Sequence, residues 1–554
     1  MANKVIIIGG VAGGASTAAR LRRLNENAEI ILLEKGEYIS YANCGLPYYI
    51  GGTIEDREEL FVMTPEKFKS WFNIDIRTKS EAIRINRKNK EVEIINLRTG
   101  ESYREKYDNL VLSPGAEPIR PPLPGIDNKK IFSMRSVSDT DRLFGFIRTA
   151  NPTKAVVVGA GYIGLEMAEN LQHRGLEVTV VELAPQVLPP IDPEMAVLVQ
   201  QYLRELNMNL RLGSGVKEFH DSGDDSLIIE LDDGEKLSAD LVVLSIGVKP
   251  ETKLASEAGL KVNRGIVVDS RMQTSDPAIF ALGDAVEVKH LVTGKPAVIP
   301  LAGPANKQGR IIANNIAGRK DRYKGTQGTS VLKIFDMTVA TTGANERLLQ
   351  VENIQYNKII VHPNDHAGYY PGAKPISLKL LFSSEGKILG AQAVGYSGVE
   401  KRIDVIATAL RAGQTVYDLH DLELAYAPPY SSAKDPVNIA GYVASNLLDA
   451  DYETMEALEL LQNPDSRRQI IDVREVEEYE EGNIPGSINI PLGTIRERLN
   501  ELDPEKETVT YCSIGLRSYF AKRILKQKQF KKVRNLNGGY RTFQALEDES
   551  NIIS

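Results

Sequence analysis

The chain has 554 residues, with 67 Lys and Arg against 74 Asp and Glu, so its formal net charge is −7. This length exceeds what one hydrophobic core supports, and we expect about three to four domains. The mildly acidic balance gives no indication of a nucleic-acid partner. The sequence has no apolar run long enough for a membrane-spanning helix. We therefore expect a globular protein with neither a nucleic-acid nor a membrane partner, cytoplasmic by default.

Two strand–helix–strand units are predicted in the first half of the chain. Residues 4–9 contain a short apolar run that leads straight into a glycine-rich turn, which favours a buried strand over a signal peptide. A helix over 14–25 and a strand over 29–34 follow. A second unit of the same kind begins at residue 154. Such a pair predicts an α/β fold with two nucleotide-binding domains.

The first glycine turn, residues 9–14, has small residues where backbone must approach a pyrophosphate at a helix N-terminus. Val11 departs from the glycine expected at the middle position, and Gly10 and Gly13 partly offset this change. Glu34 ends the next strand, where a carboxylate would accept hydrogen bonds from a ribose. We therefore predict that this turn binds a dinucleotide.

The second glycine turn, Gly159–Gly164, is a complete G-x-G-x-x-G pattern. Glu182 ends the strand that follows it, and its carboxylate should bind the 2′-hydroxyl of NADH and repel the 2′-phosphate of NADPH. Residues 183–186 offer no Arg or Lys to hold that phosphate. We predict a preference for NADH, with NADPH as the alternative.

Three further motifs resemble those of the pyridine nucleotide–disulfide oxidoreductases: Thr274–Asp284, Ser113–Ala116 and Ser245–Pro250. The resemblance covers residues 1–447. It implies FAD as a cofactor, with Asp284 at the ribityl chain. It also implies an FAD site first, an NAD(P)H site inserted second, an α+β dimerisation domain third, and a homodimer.

The two nucleotide-binding domains would then be Rossmann-like. The expected FAD-binding residues are Gly9, Gly10, Ala12, Gly13, Gly14, Glu34, Lys35, Asn43, Ser113, Pro114, Gly115, Gly283 and Asp284. The expected NAD(P)H-binding residues, together with one glycine of a linking motif, are Gly159, Gly161, Tyr162, Ile163, Gly164, Glu182 and Gly247.

Cys44 lies in the segment that sets a cysteine beside the flavin in this family. Members similar to glutathione reductase carry a second cysteine, but the partner position here is Tyr49, and the whole chain has 2 cysteines. An internal dithiol cycle is thus excluded within this domain. A lone cysteine must alternate between a thiolate and a mixed disulfide, a persulfide or a sulfenic acid.

Two single-cysteine groups compete. NADH peroxidases and oxidases cycle through sulfenic acid and place a His in the first glycine turn, where this chain has Ala12. The coenzyme A-disulfide reductase group lacks that His and shows Ala-Asn-Cys-x-Leu-Pro-Tyr and Tyr-Ala-Pro-Pro-Tyr, as at residues 42–48 and 426–430. It also shares His366–Gly372. The close resemblance to this group implies coenzyme A as a substrate or bound ligand.

In that group, tyrosines of the partner subunit donate hydrogen bonds at the active cysteine. The matching residues are Tyr369 and Tyr426, with Tyr370 and Tyr430 as open alternatives. A phenol can protonate a leaving thiolate without adding charge; packing at the interface is the alternative role.

The first predicted helix carries Arg20 and Arg23 on one face. The resemblance implies that both contact the nucleotide end of coenzyme A; a solvated basic face is the alternative. The residues expected along the path to Cys44 are Ser16, Ser40 and Asn43.

The C-terminal part resembles the single-domain rhodanese pattern at residues 471–474, 478–489, 511–518 and 537–540. Cys512 ends a predicted strand and opens a six-residue loop, a length that fits sulfur transfer. Backbone N–H groups of such a loop can surround the sulfur, lower its pKa and stabilise a persulfide anion.

Charged residues flank this loop. Arg517 adds positive charge, and we expect it to read the substrate, whereas Asp472 and Arg474 should brace the fold. The expected domains are 1–150 (FAD-binding, first part), 151–270 (NAD(P)H-binding), 271–324 (FAD-binding, second part), 325–447 (dimerisation), 448–465 (linker) and 466–554 (rhodanese-like, α/β).

These features together predict an NADH-dependent, FAD-containing reductase of coenzyme A persulfide, polysulfide or coenzyme A disulfide. Cys44 is its redox thiol, Cys512 transfers sulfane sulfur, and no metal is expected. One rival is an NADH oxidase or peroxidase with an appended sulfurtransferase, against which Ala12 argues. Another is a sulfur carrier whose flavoprotein part senses redox state, against which the intact nucleotide motifs argue.

Overall fold

The computed structural model describes residues 3–223, 226–463, 465 and 467–553. The chain packs as two compact units. The N-terminal unit runs to Pro185 and includes Asn209–Gly328, and the C-terminal unit comprises Gln186–Met208 and the described residues from Thr329 onward. None of the helices within these described ranges is long and apolar enough to cross a membrane.

The N-terminal unit contains two parallel five-stranded sheets, each the core of a Rossmann-like domain. The strands of the first, in spatial order, are Ile279–Ala281, Asn109–Leu112, Lys4–Ile8, Glu29–Glu34 and Asp75–Thr78. Those of the second are Asn209–Leu212, Glu177–Glu182, Lys154–Val158, Leu241–Leu244 and Ile131–Ser133. Most of their Val, Ile and Leu side chains are buried, as strands covered on both faces require.

Helices and smaller sheets complete this unit. The α-helices are Ala12–Leu24, Leu46–Gly51, Pro65–Phe72, Val137–Ala150, Tyr162–His173, Lys253–Glu257 and Ala302–Ile316. The 3-10 helices are Asn43–Gly45, Arg57–Leu60 and Gly283–Ala285. The remaining strands are Ser80–Asn86, Glu91–Asn96, Ser102–Lys106, Ala116–Pro118, Val216–Asp221, Leu227–Leu231, Lys236–Ala239, Val248–Pro250, Ile266–Val267, Val286–Lys289 and Pro296–Ala297.

The C-terminal unit contains an antiparallel sheet and a parallel sheet. The antiparallel strands, in spatial order, are Ser330–Ile334, Met337–Gly343, Ile388–Gly395, Ser377–Phe382 and Asn357–Val361. The parallel strands are Thr454–Met455, Val533–Leu536, Thr508–Tyr511, Gln469–Asp472 and Ile488–Asn489. The helices are Pro193–Glu205, Glu346–Val351, Val399–Ala412, Val416–Asp421, Pro436–Leu448, Ala457–Gln462, Val476–Glu481, Leu499–Glu501 (3-10), Leu516–Gln527 and Gly539–Ile553.

The segment 448–465, which the sequence predicts to be a linker, differs from that prediction over 454–462. Strand Thr454–Met455 pairs with Val533–Leu536 at the edge of the parallel sheet, and helix Ala457–Gln462 follows. Met455 is fully buried. Although the segment is acidic overall, its apolar side chains Met455, Ala457 and Leu460 belong to the core of the C-terminal domain.

A buried lysine organises the antiparallel part of the C-terminal unit. Lys379 Nζ lies 3.0 Å from Asp192 Oδ2 and 2.9 Å from Glu194 Oε2, and it also contacts Glu346. Burial alone would lower the pKa of Lys379, but the three carboxylates raise it above its ordinary value. Helix Pro193–Glu205 is thus fixed to the sheet by charge that would be costly to leave unpaired.

His362 links the antiparallel sheet to the last helix of the C-terminal unit. Its Nδ1 lies 2.8 Å from Ser377 Oγ, and its Nε2 lies 3.0 Å from Thr542 Oγ1 on the last helix. Burial, with a smaller contribution from the positive charge of Arg541, lowers the pKa of His362 to about 3. The folded chain therefore holds this ring neutral at pH values where an unfolded chain protonates it.

Acidification should consequently weaken this unit. The stability due to neutral His362 is complete above pH 6.5, the ordinary value. It falls as the pH drops toward 3, by about 2 kcal/mol at pH 5. His362→Gln keeps hydrogen-bonding capacity but does not titrate. We expect its free energy of unfolding, measured in denaturant melts, to differ less between pH 7 and pH 5 than that of the wild type. The same pH dependence in both proteins would contradict this role.

Candidate functional site

The first glycine turn joins strand Lys4–Ile8 to helix Ala12–Leu24. Gly9 has a φ of +97°, and a Cβ there would lie 2.0 Å from the carbonyl oxygen of Ser113. A Cβ on Gly14 would lie 1.8 Å from the carbonyl oxygen of Gly9. Both positions require glycine because backbone passes this close. Val11, the departure from the pattern, has a φ of −92°, which does not require glycine.

Glu34 stands beside this turn. Its Oε2 accepts a hydrogen bond from the backbone N–H of Gly10 at 2.8 Å, and its Oε1 accepts one from Gly36 at 2.7 Å. The carboxylate is thereby held at the carboxyl end of the sheet, where a ribose would lie in a dinucleotide site.

The other predicted FAD residues lie close to the same turn. A Cβ on Gly13 would touch the Ser113 hydroxyl at 3.2 Å. Asp284, in the turn Gly283–Ala285, has its Oδ2 3.6 Å from Nη2 of Arg135. Burial raises the pKa of Asp284, and the charge of Arg135 opposes this rise. Lys35 instead lies mostly in solvent, 3.8 Å from Glu117.

The second glycine turn repeats this arrangement. Gly159 has a φ of +103°, and a Cβ there would lie 2.4 Å from the carbonyl oxygen of Ser245. Glu182 accepts hydrogen bonds from the backbone N–H groups of Ala160 at 2.7 Å and Ala184 at 2.9 Å. A Cβ on Gly161 would meet nothing within 4 Å, so the turn faces open space.

Orphaned polar atoms near Cys44 and beside the second turn fit bound dinucleotides. Asn43 Oδ1, beside Cys44, and Ser245 Oγ, beside the second turn, are buried and have no hydrogen-bond partner among the described residues. With the open face at Gly161, these atoms offer both space and hydrogen-bonding capacity for cofactors. Of the other residues predicted here, Ile163 is partly exposed in the first turn of helix Tyr162–His173.

Cys44 lies in the 3-10 turn Asn43–Gly45 and is exposed to solvent as a free thiol. Packing around the sulfur raises its pKa, and the carboxylates of Glu166 and Asp284 raise it further. Tyr49, at the position of a second family cysteine, is buried and stacks on Phe144 with ring centroids 4.9 Å apart.

Glu166 was not predicted from the sequence. It lies on helix Tyr162–His173, and its Oε1 accepts a hydrogen bond from the Tyr48 hydroxyl at 3.4 Å. Burial raises the pKa of Glu166 to about 7, with the Tyr48 hydrogen bond opposing and the charge of Glu169 adding to the rise. This carboxylate therefore gains its charge near neutral pH and acts on Cys44 only in that form.

We expect Glu166→Gln to lower the pKa of Cys44, because it removes the negative charge that disfavours the thiolate. Alkylation of the thiol by iodoacetamide should become severalfold faster above pH 7, with little change below, where Glu166 is protonated. Glu26→Gln, a change at an exposed carboxylate in the same unit, is the control. Superimposable rate–pH profiles for the wild type and Glu166→Gln would refute the assignment.

A basic cavity of about 300 Å³ lies between two helices of the N-terminal unit. Its lining comprises Ser16, Ala19, Arg20, Arg23, Asn306 and Arg310. Partial desolvation and then the charges of Arg310, Arg319 and Arg23 lower the pKa of Arg20. Such crowding of cations favours an anionic ligand. Ser40 and Asn43, predicted on the same path, do not line this cavity.

Tyr369 and Tyr426 contact one another. Their hydroxyl oxygens are 2.7 Å apart, and both side chains are exposed. This hydrogen bond raises the pKa of Tyr369. Tyr370 instead packs edge-on against His366, and Tyr430 is exposed. The structure thus pairs the two tyrosines that the sequence singles out first.

Arg402 fixes the two loops that carry this pair. Its buried guanidinium donates to the carbonyl oxygens of Asp365 at 2.8 Å and Tyr430 at 3.3 Å. It also lies 3.1 Å from Asp435 Oδ2 and donates to Ser431 Oγ. Each carbonyl is four residues from one tyrosine of the pair, so a single side chain sets the spacing of both loops.

Cys512 follows strand Thr508–Tyr511 and is buried. The backbone N–H of Gly515 donates to its Sγ at 3.2 Å, and the Ser518 hydroxyl lies 3.5 Å away. The backbone N–H of Tyr540 donates to the Cys512 carbonyl at 2.8 Å. The start of the last helix therefore packs against the Cys512 loop and holds it by this hydrogen bond.

Two ion pairs flank the Cys512 loop. Asp472 and Arg474 form a buried pair at 2.6 Å. Arg517 is bound by Glu478, with both guanidinium nitrogens 2.6 Å from its carboxylate oxygens. Sequence reasoning missed Glu478, although it stands in the motif that carries the rhodanese resemblance.

Family models match three consecutive parts of the chain. Residues 3–309 match the pyridine nucleotide-disulphide oxidoreductase model, 329–436 the dimerisation domain of the same family, and 454–546 the rhodanese-like domain. Folds and sites of this kind define a dinucleotide-dependent oxidoreductase with an appended rhodanese domain.

Known proteins narrow this class. A coenzyme A disulfide reductase of Staphylococcus haemolyticus is 36% identical over 448 residues, which are 80% of this chain and 100% of the relative. The crystal structure of reduced Bacillus anthracis CoADR-RHD superposes with a TM-score of 0.96 at 50% identity over 99% of both chains. A NAD-dependent persulfide reductase from A. fulgidus gives 0.91 at 40% identity, covering 98% of this chain and 100% of that one.

The chain belongs to the pyridine nucleotide-disulphide oxidoreductase family and is an oxidoreductase. The family implies FAD and NAD(P)H as cofactors, which the two glycine turns fit. Its dimerisation domain and the relatives point to a homodimer.

Proposed function

We propose that this protein is an NADH-dependent reductase of coenzyme A persulfide, polysulfide or coenzyme A disulfide. Cys44 is its redox thiol, and Cys512 transfers sulfane sulfur to or from small thiols. The observation that carries the proposal is that Cys44, a lone and solvent-exposed thiol, lies near Glu166 and Asp284 while Tyr49 occupies the place of a second cysteine. The names of the similar proteins support the same chemistry.

The chain's own residues can carry out the sulfur steps. When bound, FAD supplies a route for two electrons from NADH to the sulfur of Cys44. The Cys44 thiolate attacks one sulfur of the substrate's S–S bond, that bond breaks, and the leaving sulfur departs with the electron pair. Two electrons then cleave the Cys44 mixed disulfide and regenerate the thiolate. For a persulfide the sum is NADH + H⁺ + R–S–SH → NAD⁺ + R–SH + H₂S.

Two groups of residues would assist this cycle. The arginines of the basic cavity, Arg20, Arg23 and Arg310, would hold phosphates of coenzyme A. The hydrogen-bonded pair Tyr369 and Tyr426 of a partner subunit would protonate the leaving thiolate.

Cysteine variants test the division of labour. We expect Cys44→Ser to lose anaerobic NADH oxidation with coenzyme A persulfide, glutathione persulfide, polysulfide and coenzyme A disulfide. Cys512→Ser should retain it when the persulfide is supplied directly. The readout is the loss of NADH absorbance against each substrate.

Three results would overturn the proposal. Equal turnover in the wild type and Cys44→Ser would remove Cys44 from the reaction. Faster NADH consumption with oxygen or peroxide than with any sulfur substrate would select an oxidase. Sulfur transfer without any NADH-linked reduction would select a sulfur carrier.

Glu182 should set the choice of nucleotide. We expect Glu182→Gln, which removes the charge but keeps a hydrogen-bond acceptor for the turn, to raise kcat/KM for NADPH relative to NADH by about tenfold. Glu177→Gln, at the exposed start of the same strand, should leave the ratio unchanged. A ratio that stays the same in both variants would show that Glu182 does not read the 2′ position.

A further inference from the structure

The positive charge beside Cys512 is already matched by a carboxylate. Arg517 Nη1 lies 2.6 Å from Glu478 Oε2, and Nη2 lies 2.6 Å from Oε1. The Ser513 hydroxyl donates to the same carboxylate at 2.9 Å and accepts from Nη2 at 3.0 Å. This bidentate, charge-assisted arrangement fixes both side chains. Arg517 therefore does not offer a free cation to a substrate.

The pair lies at the sulfur. Arg517 and Ser513 belong to the loop that Cys512 opens, and Glu478 reaches it from helix Val476–Glu481. Hydrogen bonding to Glu478 raises the pKa of Arg517, and the Cys512 thiol adds a smaller rise, in keeping with a guanidinium close to the sulfur. About a third of each charged side chain remains exposed. A donor that presents sulfur to Cys512 consequently meets an ion pair of no net charge, with one fixed carboxylate in it.

We propose that Glu478 determines which sulfur donors Cys512 accepts. By neutralising Arg517 and presenting a carboxylate beside the thiol, it favours organic persulfides over the thiosulfate dianion. In an organic persulfide, the atom next to the transferred sulfur is a sulfur without ionic oxygens, and any charges of the carrier are several bonds away. In thiosulfate, the sulfonate group lies directly beside the transferred sulfur. This inference rests on the proposed role of Cys512 in sulfur transfer.

Sulfur transfer to Cys512 from a persulfide or from thiosulfate needs no oxidant. The Cys512 thiolate attacks the terminal sulfur of R–S–SH, the S–S bond breaks with its electron pair going to R–S⁻, and that thiolate takes a proton. With thiosulfate, the same attack releases sulfite. In each case Cys512 becomes a persulfide, and cyanide removes its outer sulfur as thiocyanate and restores the thiolate. The two donors thus differ in the charge that must approach Glu478.

The experiment uses the full-length FAD-loaded protein, with thiocyanate formation as the readout. The donors are thiosulfate and 2-hydroxyethyl hydropersulfide, whose carrier is uncharged. We expect Glu478→Gln to raise kcat/KM for thiosulfate by about tenfold, because one negative charge next to a dianion is removed. The persulfide value should change by less than about twofold. Raising the ionic strength should slow Glu478→Gln with thiosulfate, because salt screens the attraction of the unpaired Arg517, and should affect the wild type less.

Two variants separate donor selection from a merely structural role. Glu477→Gln makes the same charge change at the exposed neighbouring position and should leave the donor ratio as in the wild type. Glu478→Asp restores the charge and should restore the preference for the persulfide. An equal fall for both donors in Glu478→Gln, or an unchanged ratio, would overturn the inference.

Cys512→Ser gives the rate of the uncatalysed reaction with cyanide. If the wild type does not exceed this rate with either donor, the proposed sulfur transfer by Cys512 fails. If it exceeds the rate and the donor ratio is insensitive to Glu478, only the assignment to Glu478 fails.

Discussion

The two glycine turns and the Cys512 loop all depend on one constraint: each follows the carboxyl end of a central parallel strand. Strands Lys4–Ile8, Lys154–Val158 and Thr508–Tyr511 are each paired on both sides with parallel neighbours. The chain must therefore turn away from the sheet at the carboxyl end of each strand and enter a helix within a few residues. In the two dinucleotide turns this crowding requires glycine. In the third it directs the Gly515 N–H at a sulfur, so one geometry yields both cofactor turns and a sulfur loop.

Local spacing was enough to predict the parts of the site that lie within one strand–helix–strand unit. Glu34 follows the first turn at a fixed distance along the chain, and its hydrogen bond to Gly10 reflects that spacing. Arg310 could not be predicted, because it reaches Arg20 from a helix that is remote in sequence. The role of Glu478 was missed for a related reason. Arg517 in the loop motif suggested a substrate contact, and only the folded structure shows that Glu478 binds it.

Tertiary contacts also decide how the sulfur loop is held. Asn537 Oδ1 accepts a hydrogen bond from the backbone N–H of Ile360 in the antiparallel sheet, and its amide nitrogen donates to Glu456. The next residues include Tyr540, which closes the Cys512 loop from behind. The segment that shapes the loop is therefore the segment that fixes it to the dimerisation domain. The sequence predicted a linker before this segment, but Glu456 within it is hydrogen-bonded to Asn537.

The two thiols occupy opposite environments, and this suits them to different tasks. Cys44 is reachable and has a raised pKa, with carboxylates nearby. Once the thiol has lost its proton, a more basic thiolate is intrinsically the better nucleophile. Cys44 therefore suits attack on an S–S bond. Cys512 is buried and receives an N–H at its sulfur, which suits holding a persulfide anion. Glu166, ionising near pH 7 beside Cys44, then makes the balance between thiol and thiolate at Cys44 sensitive to pH.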